Sequence, residues 1–463
     1  MTAGWRRLFP LLTVFVAIGA GGAAGRELPL VDAARNADRE AVRALLKQGA
    51  SVNAADADGT TALHWASYRD DVESAGLLLR AGAKVNAAND LGATPLWTAS
   101  LNGSLAMVRT LLDAGANPNL GLLLGETPVM VAARSGNPDV VEQLLARGAG
   151  ANARAARGQT ALMWAVAQKH PDVVRVLLAR GADVHARSEV WSQVMAVPPH
   201  ALLEYNRAIP HGGDTALMFA ARVGDVVSAK LLVAAGANVN DADAQGVSAT
   251  VLAAHSGYGE LVEFLLEKGA DPNAAAAGFT ALHEAIMRRD ERTVAALLAH
   301  GADPNARLRT WTPTRRASKD FNFPPALVGA SPFWLAARFS QPNMMRLLVK
   351  HGADPLFVHH ADYAAGESNP VRRREATTAL MAAAGMGGGT PWVRPDRDAR
   401  EALTLEAVKL AIELGVDVNA ANTDGRTALD GAEVQGYDAV VDLLFEKGAK
   451  GGTDPNAQSS KKD

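Results

Sequence analysis

The sequence predicts an all-α repeat solenoid of about eleven units, because two short phrases recur at nearly constant spacing. The first phrase, Gly-x-Thr-(Ala/Pro)-Leu with its looser copies, begins at positions 59, 92, 125, 158, 213, 246, 278, 329, 376 and 425. The second, Leu-Leu-x-x-Gly-Ala, closes each unit and has its glycine at positions 49, 82, 115, 148, 181, 236, 269, 301, 352, 415 and 448. Most of these glycines are 33 or 32 residues apart, and the exceptions of 55, 51 and 63 indicate insertions.

Each unit has the sequence features of two short helices. The threonine of the first phrase is suited to N-cap the first helix, because its hydroxyl oxygen can accept a hydrogen bond from an unpaired backbone N–H. The second helix has an apolar stripe at helical spacing, as in 140–145 and 173–178. The glycines at 148 and 181 are suited to end these helices in the left-handed conformation.

Neighbouring units must stack, because a single helix pair cannot bury its apolar face alone. The first unit has the charged surface expected of an end unit, with Arg35, Asp38, Arg39 and Glu40. We expect the solenoid to span residues 26–450. Residues 451–463 are polar, and we expect a disordered tail there.

The repeated phrases resemble the ankyrin repeat. Residues 61–66, Thr-Ala-Leu-His-Trp-Ala, and 280–283, Thr-Ala-Leu-His, match the signature T-P-L-H-x-A of that family. The resemblance covers residues 28 to about 450. It implies that each unit is a hairpin finger followed by two antiparallel helices, that the units form a curved array, and that the array recognises proteins.

Four insertions depart from a plain array. Residues 188–212, 308–328 and 357–375 follow second helices and should lengthen the fingers, whereas 385–400 should separate the two helices of the tenth unit. The insertions are rich in aromatic residues, namely Trp191, Tyr205, Trp311, Phe321, Phe323, Tyr363 and Trp392. These side chains either form a shared recognition surface or fold back and tether each loop to the solenoid.

A second candidate surface is the concave groove, which by the resemblance is lined by the residue four positions after each capping threonine. These residues are Trp65, Thr98, Val131, Trp164, Phe219, Leu252, Glu284, Leu335, Ala382 and Gly431, and the preceding position adds Trp97 and Trp334. An exposed aromatic groove would mark an interaction site. The alternative is that the inserted loops cover these rings.

Residues 1–25 have the order of a secretory signal peptide. Arg6 and Arg7 precede an apolar run from 8 to 20, and small residues follow at 21–25. The apolar run is shorter than the roughly 20 residues that span a bilayer. We therefore expect cleavage near Ala24 or Gly25, a periplasmic or secreted protein, and no membrane span after cleavage. An uncleaved anchor and a twin-arginine signal are the alternatives.

The sequence offers little catalytic chemistry. It contains no cysteine, which excludes thiolate nucleophiles and cysteine-ligated zinc, and the net charge of −3 gives no nucleic-acid footprint. The glycine-rich segment 385–390 lacks the lysine of a phosphate-binding loop. His64 and His283 are interpreted as partners of the neighbouring threonine hydroxyl groups.

Two groups of inserted residues remain as weaker candidates. His359, His360 and Asp362 could ligate a divalent cation. The basic residues of the insertions could bind an acidic patch of a partner; they are Arg315, Arg316, Lys319, Arg372, Arg373 and Arg374.

We interpret the chain as a non-catalytic, monomeric, protein-binding scaffold of the bacterial envelope, with no cofactor, that recognises a protein partner through the groove and the finger loops. One alternative is a metal-dependent binder or enzyme built from the inserted loops around His200, His211, His359 and His360. Another is an exported effector. Fold analogy alone supports protein binding at this point.

Overall fold

The computed structural model describes residues 28–195, 207–312, 323–365, 371–389 and 395–452. The leader, Tyr205, Phe321, Trp392, and the basic residues Arg315, Arg316 and Lys319 lie outside the described residues, as does the tail from residue 453.

The described residues form 22 α-helices, which make eleven antiparallel pairs, so the predicted helical repeat solenoid is confirmed. We number the pairs as units 1 to 11. The first helices of units 1 to 11 are α1 (Pro29–Arg35), α3 (Ala62–Tyr68), α5 (Pro95–Asn102), α7 (Pro128–Ser135), α9 (Ala161–Ala167), α11 (Ala216–Val223), α13 (Ala249–Ser256), α15 (Ala281–Arg288), α17 (Pro332–Arg338), α19 (Ala379–Ala383) and α21 (Ala428–Gln435). The second helices are α2 (Arg39–Lys47), α4 (Val72–Arg80), α6 (Leu105–Asp113), α8 (Pro138–Ala146), α10 (Pro171–Ala179), α12 (Val226–Ala234), α14 (Gly259–Glu267), α16 (Glu291–Ala299), α18 (Pro342–Lys350), α20 (Arg397–Glu413) and α22 (Asp438–Glu446).

The units stack in one direction along the chain. Each first helix packs on the first helix of the next unit, and each second helix packs on the next second helix. The core is therefore one continuous apolar seam between the helix layers, with Val173, Val174 and Leu177 of α10 fully buried in it. Among the helices that the structure describes, we find none with the length and apolarity that crossing a bilayer requires.

The helix ends follow the repeated phrases. A threonine or serine is the N-cap residue of every first helix from α3 onward, and in α5 the Thr94 hydroxyl accepts a hydrogen bond from the Trp97 N–H at 3.2 Å. After α8, Gly148 adopts φ 88°, and its N–H donates to the Leu145 carbonyl. Glycine fits this site because a side chain would strain the left-handed conformation.

Asparagine side chains connect successive units. In one example, the Asn273 amide donates to the carbonyl of Gly301 at 2.9 Å and accepts from the N–H of Asp303 at 2.7 Å, so one side chain bridges units 7 and 8. We call this arrangement the asparagine bridge. It recurs at Asn53, Asn86, Asn119, Asn152, Asn240, Asn305 and Asn419.

Strands occur in two of the insertions. In the first, β1 (Trp191–Met195) pairs antiparallel with β2 (Arg207–His211), and in the third, β3 (His359–Ala365) pairs with β4 (Val371–Thr377). These insertions are therefore lengthened fingers, as the sequence predicted. The described part of the second insertion contains a short 3-10 helix, Pro325–Leu327.

The fourth insertion is shorter than expected. Residues 385–400 were predicted to lie between the helices of unit 10, but α20 begins at Arg397. The Asp396 carboxylate caps this helix by accepting a hydrogen bond from the Ala399 N–H at 2.8 Å. A capping aspartate and a continuing helical pattern extend α20 into the predicted loop.

Candidate binding surface

The aromatic rings of the predicted groove are buried, so the expectation of an exposed aromatic groove is wrong. Trp65, Trp97, Trp164, Phe219 and Trp334 have relative exposures between 0 and 8%. Whether any of these residues contributes to partner binding stays a prediction. The reason for their burial differs from ring to ring.

Arginines of the preceding unit cover two of the rings. The Arg35 guanidinium carbon lies 5.0 Å from the ring centroid of Trp65, and the Arg134 guanidinium carbon lies 5.0 Å from that of Trp164. Such cation–π contacts are favourable, and the arginine stem also removes apolar ring surface from water. In both pairs, the arginine lies seven positions after the N-cap residue of its helix, and the tryptophan lies four positions after the N-cap residue of the next first helix.

Carboxylates accompany the arginines that line the groove. Asp56 binds Arg35 at 2.7 Å and also accepts a hydrogen bond from the Trp65 Nε1–H at 3.2 Å. In unit 6, Arg222 binds Asp214 at 2.9 Å. These charged pairs give the groove a polar lining over its buried rings.

Two of the remaining rings are covered by apolar or inserted segments. Trp97 packs in a small cluster with Ala93 and Val131, and Leu122 of the next finger packs against this cluster. Trp334 is covered by the inserted loops, as the alternative reading proposed, and its ring centroid lies 4.3 Å from that of His359 in β3.

Three insertions meet around Trp334. The His359 Nε2–H donates to the Ala326 carbonyl of the second insertion at 3.0 Å. Burial lowers the pKa of His359, which keeps the ring neutral. The Arg338 guanidinium donates to the carbonyls of residues 387, 388 and 389 of the fourth insertion at 3.1 to 3.3 Å. The inserted loops therefore buttress one another as well as the solenoid.

A buried hydrogen-bonded pair, His255 and Glu284, lies in the predicted groove stripe. The Glu284 carboxylate accepts from the Nδ1–H of His255 at 3.0 Å, and Oε1 has no hydrogen-bond partner among the described residues. Burial raises the pKa of Glu284, although His255 and Arg288 oppose this shift. The pair could have been predicted from spacing, because His255 lies seven positions after the N-cap residue of α13 and Glu284 lies four positions after that of α15, as the arginines and tryptophans do.

The histidines of the repeated phrase have the predicted structural role. His64 Nδ1 accepts from the Thr61 N–H at 3.1 Å and lies 2.8 Å from the Thr61 hydroxyl oxygen, while the Nε2–H donates to the Ala93 carbonyl. The Nδ1 of His283 lies at the same 2.8 Å from the Thr280 hydroxyl oxygen, and burial lowers the pKa of His283 to about 4. Both rings are thus held neutral as capping groups.

The cation-site residues of the third insertion do not converge. His359 is buried, whereas His360 and Asp362 lie on the opposite, exposed face of β3. Asp362 binds Arg372 at 2.7 and 2.8 Å and Arg374 at 3.3 Å, and these arginines lower its pKa to about 2. Within the described residues no three potential ligands come together, and His200 lies outside them.

Large exposed apolar side chains concentrate on the fingers. Leu123 in the finger of unit 4 donates its N–H to the Leu91 carbonyl of the preceding finger at 3.0 Å. The Ala156 N–H donates to the Leu124 carbonyl at 2.8 Å, so backbone hydrogen bonds align successive fingertips. We call the following group the finger surface, whose members are 42 to 76% exposed: Leu91, Leu123, Leu124, Val190 and Val194.

The predicted aromatic residues of the fingers contribute differently to this surface. Trp191 is half-buried, because the Arg157 guanidinium carbon lies 4.3 Å from its ring centroid and His211 stacks on it at 4.6 Å. Trp311 is also half-buried. Phe323 is fully buried against Phe279. The prediction that the aromatic residues fold back onto the solenoid is thus confirmed for Phe323.

Comparison with known proteins agrees with the repeat that the structure displays. A family model for three ankyrin-repeat copies matches residues 30–121, 118–188 and 200–276, and the single ankyrin-repeat model matches residues 277–308 and 328–360. The E3 ubiquitin-protein ligase KEG of Arabidopsis thaliana is 32% identical over an alignment of 266 residues, and the match covers 54% of this chain and 16% of that protein. The solved ankyrin-repeat domain of human ASB11 is 31% identical, with a TM-score of 0.44, and the match covers 53% of this chain and all of that domain. The chain belongs to the ankyrin-repeat family.

Proposed function

We propose that this chain is a non-catalytic scaffold that binds a protein partner through its finger surface and the adjoining groove. Ankyrin repeats are generally protein-interaction scaffolds, and the fold is typically non-catalytic. The observation that carries the proposal is the alignment of exposed apolar side chains along neighbouring fingers. Isolated exposed apolar residues are ordinary, but a contiguous row of them marks an interaction site.

The groove supplies specificity in this proposal. Its arginine–carboxylate pairs, such as Arg35 with Asp56 and Arg222 with Asp214, lie beside the row of fingers. A partner that inserts an apolar segment along the fingers meets these charges at the edge of the contact. Charged groups at an edge act on partner choice and association rate more than on affinity.

A capture experiment with substitutions tests the finger surface. The mature chain, residues 26–463, serves as bait in an envelope extract, and bound proteins are identified by mass spectrometry. The triple variant Leu123→Ser, Leu124→Ser, Val194→Ser should lose the partner, whereas Val227→Ser, an exposed apolar residue of α12, should retain it. Equal capture by both variants would remove the finger surface from the proposal.

We also propose that the protein acts in the periplasm or outside the cell. The support is the order of charged, apolar and small residues in 1–25. Fractionation of cells that express the full chain with a C-terminal tag, combined with the mass of the mature protein, tests this. Recovery of uncleaved protein in the cytoplasm would contradict the proposal.

A further inference from the structure

The outer face of unit 11 exposes apolar residues at positions that are buried in unit 8, an interior unit. Val434 of α21 is 72% exposed and Phe445 of α22 is 56% exposed, and Val441 between them is half-buried. We call these three residues the terminal face. In unit 8 the equivalent positions are Met287, Val294 and Leu298, all buried where α17 and α18 stack on them.

The two ends of the described solenoid differ in this respect. None of the large apolar side chains of unit 1 is exposed, and α2 exposes Glu40 and Lys47, while its Arg39 and Arg43 pair with Asp71 and Glu73 of unit 2. End units of stacked repeats require such a polar outer surface to remain soluble. The terminal face instead keeps the apolar stacking positions of an interior unit, and its geometry is suited to receiving further helical structure.

Acidic side chains surround the terminal face. Glu433, Asp438, Asp442 and Glu446 are all exposed. Of these four, Glu446 pairs with Lys447 at 3.1 Å, and the other three make no ion pair within the described residues. An apolar centre with an acidic rim is complementary to a helix that has an apolar stripe flanked by basic side chains.

We propose that the terminal face binds a basic amphipathic helix of another protein, which stacks on unit 11 as a following unit would. A second copy of this chain fits less well, because two acidic rims would face each other. Residues 453–463 also fit less well: they include Lys461 and Lys462 but no large apolar side chain. This surface is separate from the finger surface, so its test does not depend on that proposal.

The test uses the chain 26–463 and a fluorescein-labelled amphipathic peptide of leucine and lysine, about five helical turns long. Fluorescence polarisation should show saturable binding that weakens with salt. The variant Val434→Ser, Phe445→Ser should bind about tenfold more weakly, since it removes the apolar anchors. Val227→Ser is the matched control and should bind as the unaltered chain does, because Val227 is exposed on α12, away from unit 11.

Two further measurements distinguish a basic helix from other partners that could occupy the terminal face. A peptide with glutamate in place of lysine should not bind, and Asp438→Asn with Asp442→Asn should weaken binding of the lysine peptide. Equal binding of both peptides, or unchanged binding by the serine variant, would overturn the proposal. Sedimentation velocity that showed a dimer abolished by Phe445→Ser would assign the face to a second copy instead. Circular dichroism checks that each variant is folded.

Discussion

At the scale of single residues, burial decides the charge state of two neighbours in α15. His283 is held neutral because burial lowers its pKa to about 4, and Glu284 is driven toward its neutral form because burial raises its pKa. His283 caps α15 through its Nδ1, and Glu284 has one carboxylate oxygen without a hydrogen-bond partner among the described residues. An unsatisfied buried oxygen costs free energy, so Glu284 weakens unit 8.

Glu284→Gln should therefore make unit 8 more stable than it is in the unaltered chain, and this difference should grow as pH rises. The unfolded carboxyl group ionises near 4.5, but the folded protein keeps its proton to higher pH. Between these two pKa values the folded state binds more protons, so the free energy of unfolding falls as pH increases. The groups that face Glu284 are His255 and Arg288. Near neutral pH we expect the free energy of unfolding of the variant to exceed that of the unaltered chain by about 1 kcal/mol.

Hydrogen exchange of the α15 amides across this pH range measures the effect, with correction for the intrinsic exchange rate. Glu267→Gln is the control, because Glu267 is exposed at the end of α14. A difference between Glu284→Gln and the unaltered chain that stays constant with pH would refute the assignment.

Gly387→Ala should loosen the contact of the inserted loops with Trp334. Gly387 has φ 84°, and an added Cβ would lie 2.9 Å from Cζ2 of Trp334. Gly415 has φ 88° with open space around the Cβ position, so Gly415→Ala isolates the backbone strain, about 1 kcal/mol. We expect Gly387→Ala to cost about 1 to 3 kcal/mol more, since a packed core must shift. Hydrogen exchange in β3 reports this, and equal effects of both substitutions would contradict the packing argument.

At the scale of elements, the regular features were predictable and the contacts across the repeat were less so. The threonine caps and the glycine helix ends follow from local sequence, and the hairpins of the first and third insertions follow from their place after second helices. The start of α20 was not predicted, because Asp396 caps this helix within the segment 385–400 that was predicted to be a loop. The arginine covers on Trp65 and Trp164 were missed because each contact joins residues 30 positions apart, in neighbouring units.

The asparagine bridge is also an element-scale feature, and its loss should act at one junction. Asn273→Ala removes two hydrogen bonds between units 7 and 8, which should cost about 1 to 2 kcal/mol. Reduced protection should appear in α14 and α16, which pack on each other. Asn343→Ala on the surface of α18 serves as the comparison. Loss of protection spread evenly over all units would count against a local bridge.

At the scale of the whole molecule, the stack behaves as a chain of nearest-neighbour contacts, so a core substitution should act locally. Leu177 of α10 is fully buried. Leu177→Ala should cost about 2 to 5 kcal/mol and should loosen mainly units 5 and 6. Leu144→Ala, at the equivalent fully buried site of α8, should loosen units 4 and 5 instead. Hydrogen exchange along the solenoid distinguishes the two patterns, and identical profiles would contradict nearest-neighbour behaviour.

The asparagine bridge is replaced at two of the ten junctions, and both precede an inserted hairpin. His185 occupies the bridging position between units 5 and 6, and Leu356 occupies it between units 9 and 10. The backbone there is unchanged, because the His185 N–H donates to Asp183 at 2.9 Å much as the Asn273 N–H donates to Asp271 at 2.8 Å. The side-chain link alone is missing, so these junctions should open before their neighbours.

His185→Asn should therefore tighten the junction between units 5 and 6. A restored bridge would reach the carbonyl of Gly236 and the N–H of Asn238, the equivalents of the groups that Asn273 binds. We expect a gain of about 1 kcal/mol, or roughly fivefold slower amide exchange in α10 and α12. His351→Asn, an exposed histidine outside the bridging positions, should leave the same amides unchanged. If His185→Asn also leaves them unchanged, the missing side chain does not set the strength of this junction, and the stack is held there by helix packing and by the Arg187–Asp241 pair that crosses it.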